Sequence, residues 1–186
     1  MRTRRRLPKF FAAMRSLVLI CTLIGATALS LSAQTTAIEI ASESFSSNGA
    51  IPDEFSCRGA NISPELHWRG VSSNARALAL IVEDPDAPGA SFTHWIVFNL
   101  PVSINHLEEN ESKSMPEGAK LGTNGFDHRG YDGPCPPPGG VHHYHFKLTV
   151  LDAPLDLPEG ARGPELNAAV AKHSIASGEI VGTFQR

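Results

Sequence analysis

Cysteine, methionine, tryptophan and tyrosine are all scarce in this chain, at three, three, two and two of 186 residues. One cysteine, Cys21, lies in an apolar N-terminal run, which leaves only Cys57 and Cys135 in the body. Two cysteines exclude a disulfide-dense scaffold and a four-thiolate metal site. Cations are scarce as well once the N terminus is set aside. Six of the sixteen Lys and Arg residues fall within the first fifteen positions, leaving ten against nineteen Asp and Glu. The body is therefore near −9, where the whole chain is −3. Such a surface repels nucleic acid and anionic membranes, so any anion it binds must be held by local geometry. Also missing are a Walker lysine loop, a dinucleotide glycine fingerprint and a Gly-x-Ser-x-Gly elbow, so no cofactor is expected.

What is present begins with a leader. Arg2, Arg4, Arg5, Arg6, Lys9 and Arg15 precede an apolar stretch from Leu17 to Leu29, and small residues follow. A cationic head, a short apolar middle and small residues describe a secretory signal, with cleavage after Ser30 or Ala33. The alternative is an uncleaved anchor, for which the apolar run is short. Residues 1–33 are thus expected to be removed, leaving residues 34–186 as one exported domain, periplasmic or secreted. In an oxidising compartment Cys57 and Cys135 can pair; equally, they can remain two half-buried thiols.

The body reads as mainly β. Residues 37–45 alternate as a half-buried strand, and Leu66-His67-Trp68 is a short one. Ala77–Val82, His94–Leu100 and His142–Leu151 are apolar runs suited to buried strands, and Glu179–Phe184 is a last strand. Residues 48–64 are a loop with an extended piece near Phe55. Residues 102–141 form an ordered excursion with short strands near Leu121 and Phe126. Pro164 to Ile175 is the one expected helix, with proline in its first turn and Gly178 just past its end.

Chemistry concentrates in two stiff turns. Asp84-Pro85-Asp86-Ala87-Pro88 follows a strand and leads to His94; Gly133-Pro134-Cys135-Pro136-Pro137-Pro138-Gly139-Gly140 leads to His142. Prolines fix the backbone and remove N–H donors, so the second turn offers amides only from Gly133, Cys135, Gly139 and Gly140. That makes a rigid wall with one or two donors, suited to one phosphate-sized group and not to a triphosphate. A carboxylate that accepts one ring N–H of a histidine leaves the other ring nitrogen aimed at a ligand. Taken singly, each piece has a plainer reading: an ordinary Asp-Pro surface turn, or a core histidine satisfied by a carbonyl. On a strand only His143 and His145 share a face, which speaks against a three-histidine metal site there. A site of His94, His142 and Asp84 or Asp86 remains a metal alternative. General acid–base chemistry on a phosphoester by the same Asp and His residues is a further one.

These blocks resemble the signatures of the phosphatidylethanolamine-binding protein family, closest to its bacterial Raf kinase inhibitor-like branch. The matching stretches are Asp84-Pro85-Asp86-Ala87-Pro88, His94-Trp95-Ile96-Val97, Gly133-Pro134-Cys135-Pro136-Pro137 and His142-x-Tyr144-x-Phe146. Ile51-Pro52, Phe55-x-Cys57, Asn61-x-Ser63-Pro64-x-Leu66-x-Trp68 and Gly182-Thr183-Phe184-x-Arg186 agree as well, so the similarity spans residues 38–186. The resemblance implies a two-sheet, β-sandwich-like fold with Greek-key connections and a few peripheral helices, one near the C terminus. It implies a pocket of Asp84, Asp86, His94, Pro137, His142 and Tyr144 that takes phosphate, acetate or a phosphorylated headgroup. Gly133 and Cys135 join that ligand-binding set through their amides. The resemblance also implies a cis peptide at Ala87-Pro88, homodimers, and no catalytic residue or metal. Two departures stand out: His143 where arginine is common, and His145 where an apolar or aromatic residue is usual. The expected function is exported binding of a small phosphoryl or carboxylate anion, with modulation of a protein partner and no role in nucleic-acid binding. The alternatives are an inhibitor acting through surface loops and a phosphoesterase.

Overall fold

The computed structural model describes residues 37–186, so the leader expected at 1–33 lies outside the described residues. In chain order the elements are β1 (Glu39–Ala41), β2 (Leu66–Arg69), β3 (Ala77–Asp84), β4 (Phe92–Leu100), β5 (His106–Leu107), β6 (Lys120–Leu121), β7 (His142–Leu151), α1 (Gly163–His173) and β8 (Ser174–Phe184). They build a three-stranded sheet, β1-β2-β5, and a five-stranded sheet, β6-β4-β3-β7-β8. Every pairing between these strands is antiparallel. The mainly β, two-sheet expectation holds.

The side-chain period of two explains why the central strands are apolar throughout. Leu78, Leu80 and Val82 of β3 point into a core shared with Trp68 and Leu107 of the smaller sheet. The alternate residues Ala77, Ala79 and Ile81 join a second cluster on the far face, with Ile96, Phe98, Leu155 and Leu166 of α1. β7 shares the pattern only in its second half. Its first half sets buried His142, Tyr144 and Phe146 against less buried His143, His145 and Lys147. Trp95, Phe98, Tyr144 and Phe146 are all fully buried. Each such side chain contributes about 1.5–3 kcal/mol of burial free energy.

Several local expectations need correction. The segment near Phe55 is a 3-10 turn, Asp53–Phe55, entered from Pro52. The segment at Phe126 is a turn, because the Asn124 side-chain oxygen accepts the N–H groups of Phe126 and His128 at 2.9 and 3.1 Å. The first strand is confined to Glu39–Ala41, and β5 forms inside the excursion where no strand was expected. α1 ends at His173 and β8 starts at Ser174, so Gly178 lies in mid-strand and caps nothing. Glycine is needed there because a Cβ would overlap the carbonyl oxygen of Ile38. No described peptide bond is cis, Ala87-Pro88 included. The aspartate turn closes instead through the Asp86 N–H, which donates to Asp84 Oδ1 at 2.9 Å.

Candidate functional site

Antiparallel pairing brings the end of β3 beside the start of β7. With Glu83 opposite His145 and Val82 opposite Phe146, Asp84 falls on the inward face with Tyr144 and His142. His142 Nδ1 lies 2.7 Å from Asp84 Oδ2, and the two side chains are only 10% and 4% exposed. The carboxylate accepts, so Nδ1 carries the hydrogen and Nε2 points away from the pair.

His94 reaches the same place by a different device. Val82 pairs Trp95 and Glu83 pairs Thr93, so two steps on β4 match one on β3 and His94 is the extra residue of a β-bulge. A bulge re-aims a side chain that strict alternation would send to the opposite face. His94 Nδ1 then sits 2.7 Å from the carbonyl oxygen of Asp132. A carbonyl can only accept, so here too Nδ1 donates and Nε2 is left unengaged. Burial pushes the His94 pKa below its ordinary value, opposed by the Asp132 carbonyl and the Asp84 charge. The neutral ring is therefore favoured.

Beneath the histidines lies Tyr144, fully buried, with its ring edge-on to His94 at 5.1 Å. Its hydroxyl has no hydrogen-bond partner. Burial first, and then the nearby Asp84 carboxylate, push the phenol above its ordinary pKa. The hydroxyl is closed off beside the Asp84 carboxylate, and Tyr144, expected as a ligand-binding residue, is not among those that line the hollow above it.

A hollow of about 160 Å³ opens above these groups, with Asp84, His94, Cys135, Pro137 and His142 among its walls. Ala87, Pro88, Phe92, Phe126 and Pro136 complete it. Other expected site residues are placed differently. Asp86 turns to His143, accepting from its backbone N–H at 2.9 Å and its Nδ1 at 2.7 Å. Those bonds hold the Asp86 carboxyl below its usual pKa. The Gly133 amide is already committed, donating to Asn61 Oδ1 at 2.8 Å. Cys135 is bonded to Cys57, with Cα atoms 5.4 Å apart, which resolves the pairing left open by the sequence. A wider hollow of about 440 Å³ lies elsewhere, rimmed by Glu43, Glu54, Glu65, Glu108 and Glu109. Its charge repels anions, and no imidazole lines it.

Three scaffold residues escaped sequence reasoning. Asn124, 2% exposed, donates to the carbonyl of His94 at 3.2 Å and to Asp132 Oδ2 at 2.7 Å. Asp132 ties both ways to His94, since its own N–H also donates to the His94 carbonyl at 3.1 Å. Asn61 spans Asp132 Oδ1 and the Gly133 amide. Only Asn61 had a signal, inside a matching block. Phe126 could have been suspected, as a large apolar residue in a polar, glycine-bearing loop. Among the described residues, no group of three His, Cys, Asp or Glu side chains is placed to hold a metal ion.

A fold of two antiparallel sheets with paired histidines at its strand ends defines a class of small pocket-bearing β proteins. The phosphatidylethanolamine-binding protein profile matches residues 41–185, and the chain belongs to that family. It is 41% identical over 151 residues to a UPF0098 protein of Methanothermobacter thermautotrophicus, covering 80% of this chain and 99% of that one. It is 40% identical over 149 residues to a Mycobacterium tuberculosis protein provisionally named lipoprotein LppC, covering 80% and 72%. Escherichia coli YbcL, described as a new member of the mammalian phosphatidylethanolamine-binding family, superposes with a TM-score of 0.77. That match has 29% identity and covers 80% of this chain and 98% of that one. Among the described residues no helix is long and apolar enough to cross a membrane.

Proposed function

We propose that the protein binds a single phosphoryl or carboxylate group in the hollow between His94 and His142, and that binding rather than turnover is the work of the site. One observation carries the reading: both imidazoles have Nδ1 engaged inside the protein, leaving both Nε2 atoms available at one opening. An anion there accepts an Nε2–H from a ring that takes up its second proton, and the anion's own charge favours that protonation of His94 against the cost of burial. Nucleophilic turnover has little support. The one thiol in the wall is consumed in the Cys57–Cys135 bond, and no serine or threonine lines the hollow. Export fits the same reading, since a disulfide persists in oxidising compartments and one relative carries a lipoprotein name.

Calorimetric titration with inorganic phosphate and phosphoethanolamine tests the reading, with His142→Ala as the control. Heat that saturates for the natural protein and is lost in the variant supports it. No heat at millimolar ligand overturns it.

A further inference from the structure

One side of the hollow is not polar at all. Phe92 and Phe126 meet edge-on at 4.8 Å, and each also meets the His94 ring, at 5.2 and 5.6 Å. The three rings form a closed aromatic corner, and the imidazole that would hold the anion is one of its members. Pro88, Pro136 and Pro137 extend the apolar lining.

Phe126 is 39% exposed, in a body that otherwise presents a strongly acidic surface. Its position is nonetheless fixed. The Phe126 N–H donates to Asn124 Oδ1 at 2.9 Å, and the Gly125 N–H donates to the Thr93 carbonyl at 2.8 Å. Asn124 is itself buried and bonded to the His94 carbonyl. The loop that carries the exposed ring is therefore tied to the strand that carries the anion-holding ring. An exposed phenyl held at the mouth of a polar site is a surface for an apolar neighbour, since stacking or edge contact there removes both partners from water.

We propose that the site selects monoesters whose anionic group carries an apolar substituent, aromatic above all, laid against Phe126 and Phe92. The selection rests on the anion reading above and names the class of ligand within it. A bare phosphate or a methyl ester leaves the corner wet; a phenyl ester covers it while its phosphoryl group stays between the histidines.

Titrations with methyl phosphate, cyclohexyl phosphate and phenyl phosphate separate the two ideas. For the natural protein, phenyl phosphate should bind about tenfold more tightly than methyl phosphate, the scale of one well-placed aromatic contact. Cyclohexyl phosphate should fall between. In Phe126→Ala the phenyl-to-methyl ratio should drop to about twofold, and because any change in the hold on the phosphoryl group is common to both esters it cancels in that ratio. An unchanged melting temperature checks that the variant folds. Equal binding of all three esters, or a ratio untouched by Phe126→Ala, overturns the selectivity and leaves anion binding standing. No binding of any ester overturns both.

Discussion

The Nδ1 atom of His142 lies 2.7 Å from Oδ2 of Asp84, in a pair almost closed to solvent. Replacing Asp84 by alanine strands a buried ring N–H without an acceptor, which costs about 1–3 kcal/mol. Asp84→Asn keeps an acceptor oxygen and should cost less than half as much. Urea unfolding of the two variants checks the order. Equal losses would mean that the charge, and not the hydrogen bond, is what stabilises the pair.

Acid should unfold the protein partly through His94. Burial holds its folded pKa below the ordinary value, so the unfolded chain takes up this proton first as pH falls. The unfolded state then binds more protons, and stability declines from a pH of about 6.5 down to the folded pKa. His94→Gln should flatten that part of the stability curve. Bound phosphate should oppose the decline, because a protonated ring offers Nε2–H to the anion, so phosphate affinity should rise as pH falls below about 6.5. A urea-midpoint profile of the same slope in wild type and His94→Gln would place the effect elsewhere.

The Cys57–Cys135 bond closes a loop with a sequence separation of 78 and anchors the proline wall. The neighbouring backbone adds a hydrogen bond from the Cys57 N–H to the Pro134 carbonyl at 3.1 Å. Reduction should lower unfolding free energy by about 2–4 kcal/mol. Denaturant melts with and without a phosphine reductant measure this, and coincident curves would contradict it.

Gly133 packs where a Cβ would overlap the Phe55 carbonyl oxygen, and its N–H holds Asn61. Gly133→Ala should force the wall away from the 3-10 turn, at a cost of about 1–3 kcal/mol, and weaken phosphate binding together with stability. Unaltered affinity at reduced stability would show that the wall position does not govern the site.

Much of this fold was readable because β3 and β4 are buried on both faces, and strands of that kind appear as uninterrupted apolar runs. The Asp84–His142 contact was half readable: both residues were marked, while their meeting depends on the register of β3 against β7. His94 was marked for its chemistry, yet its inward aim comes from a bulge that no residue type announces. Asn124 was invisible, since an asparagine in a glycine-bearing loop looks like any turn former until the five hydrogen-bond partners of its side chain fold around it. The end of α1 was misread for a comparable reason. Gly178 resembles a helix stop, but it is there to let the Ile38 backbone pass close by.

That passage has a wider effect on the five-stranded sheet. Beyond Gly178 the outer rim of β8 is taken up by residues 48–51: Asn48 N–H to the Val181 carbonyl, Ile51 N–H to that of Thr183, and Thr183 N–H to that of Gly49. A rim with its peptide groups already engaged cannot zip to a second copy, which removes a common route to runaway strand association. Pairing of two copies along Val181–Thr183 is thereby blocked, and stripping the 48–51 segment away would bare that stretch of edge.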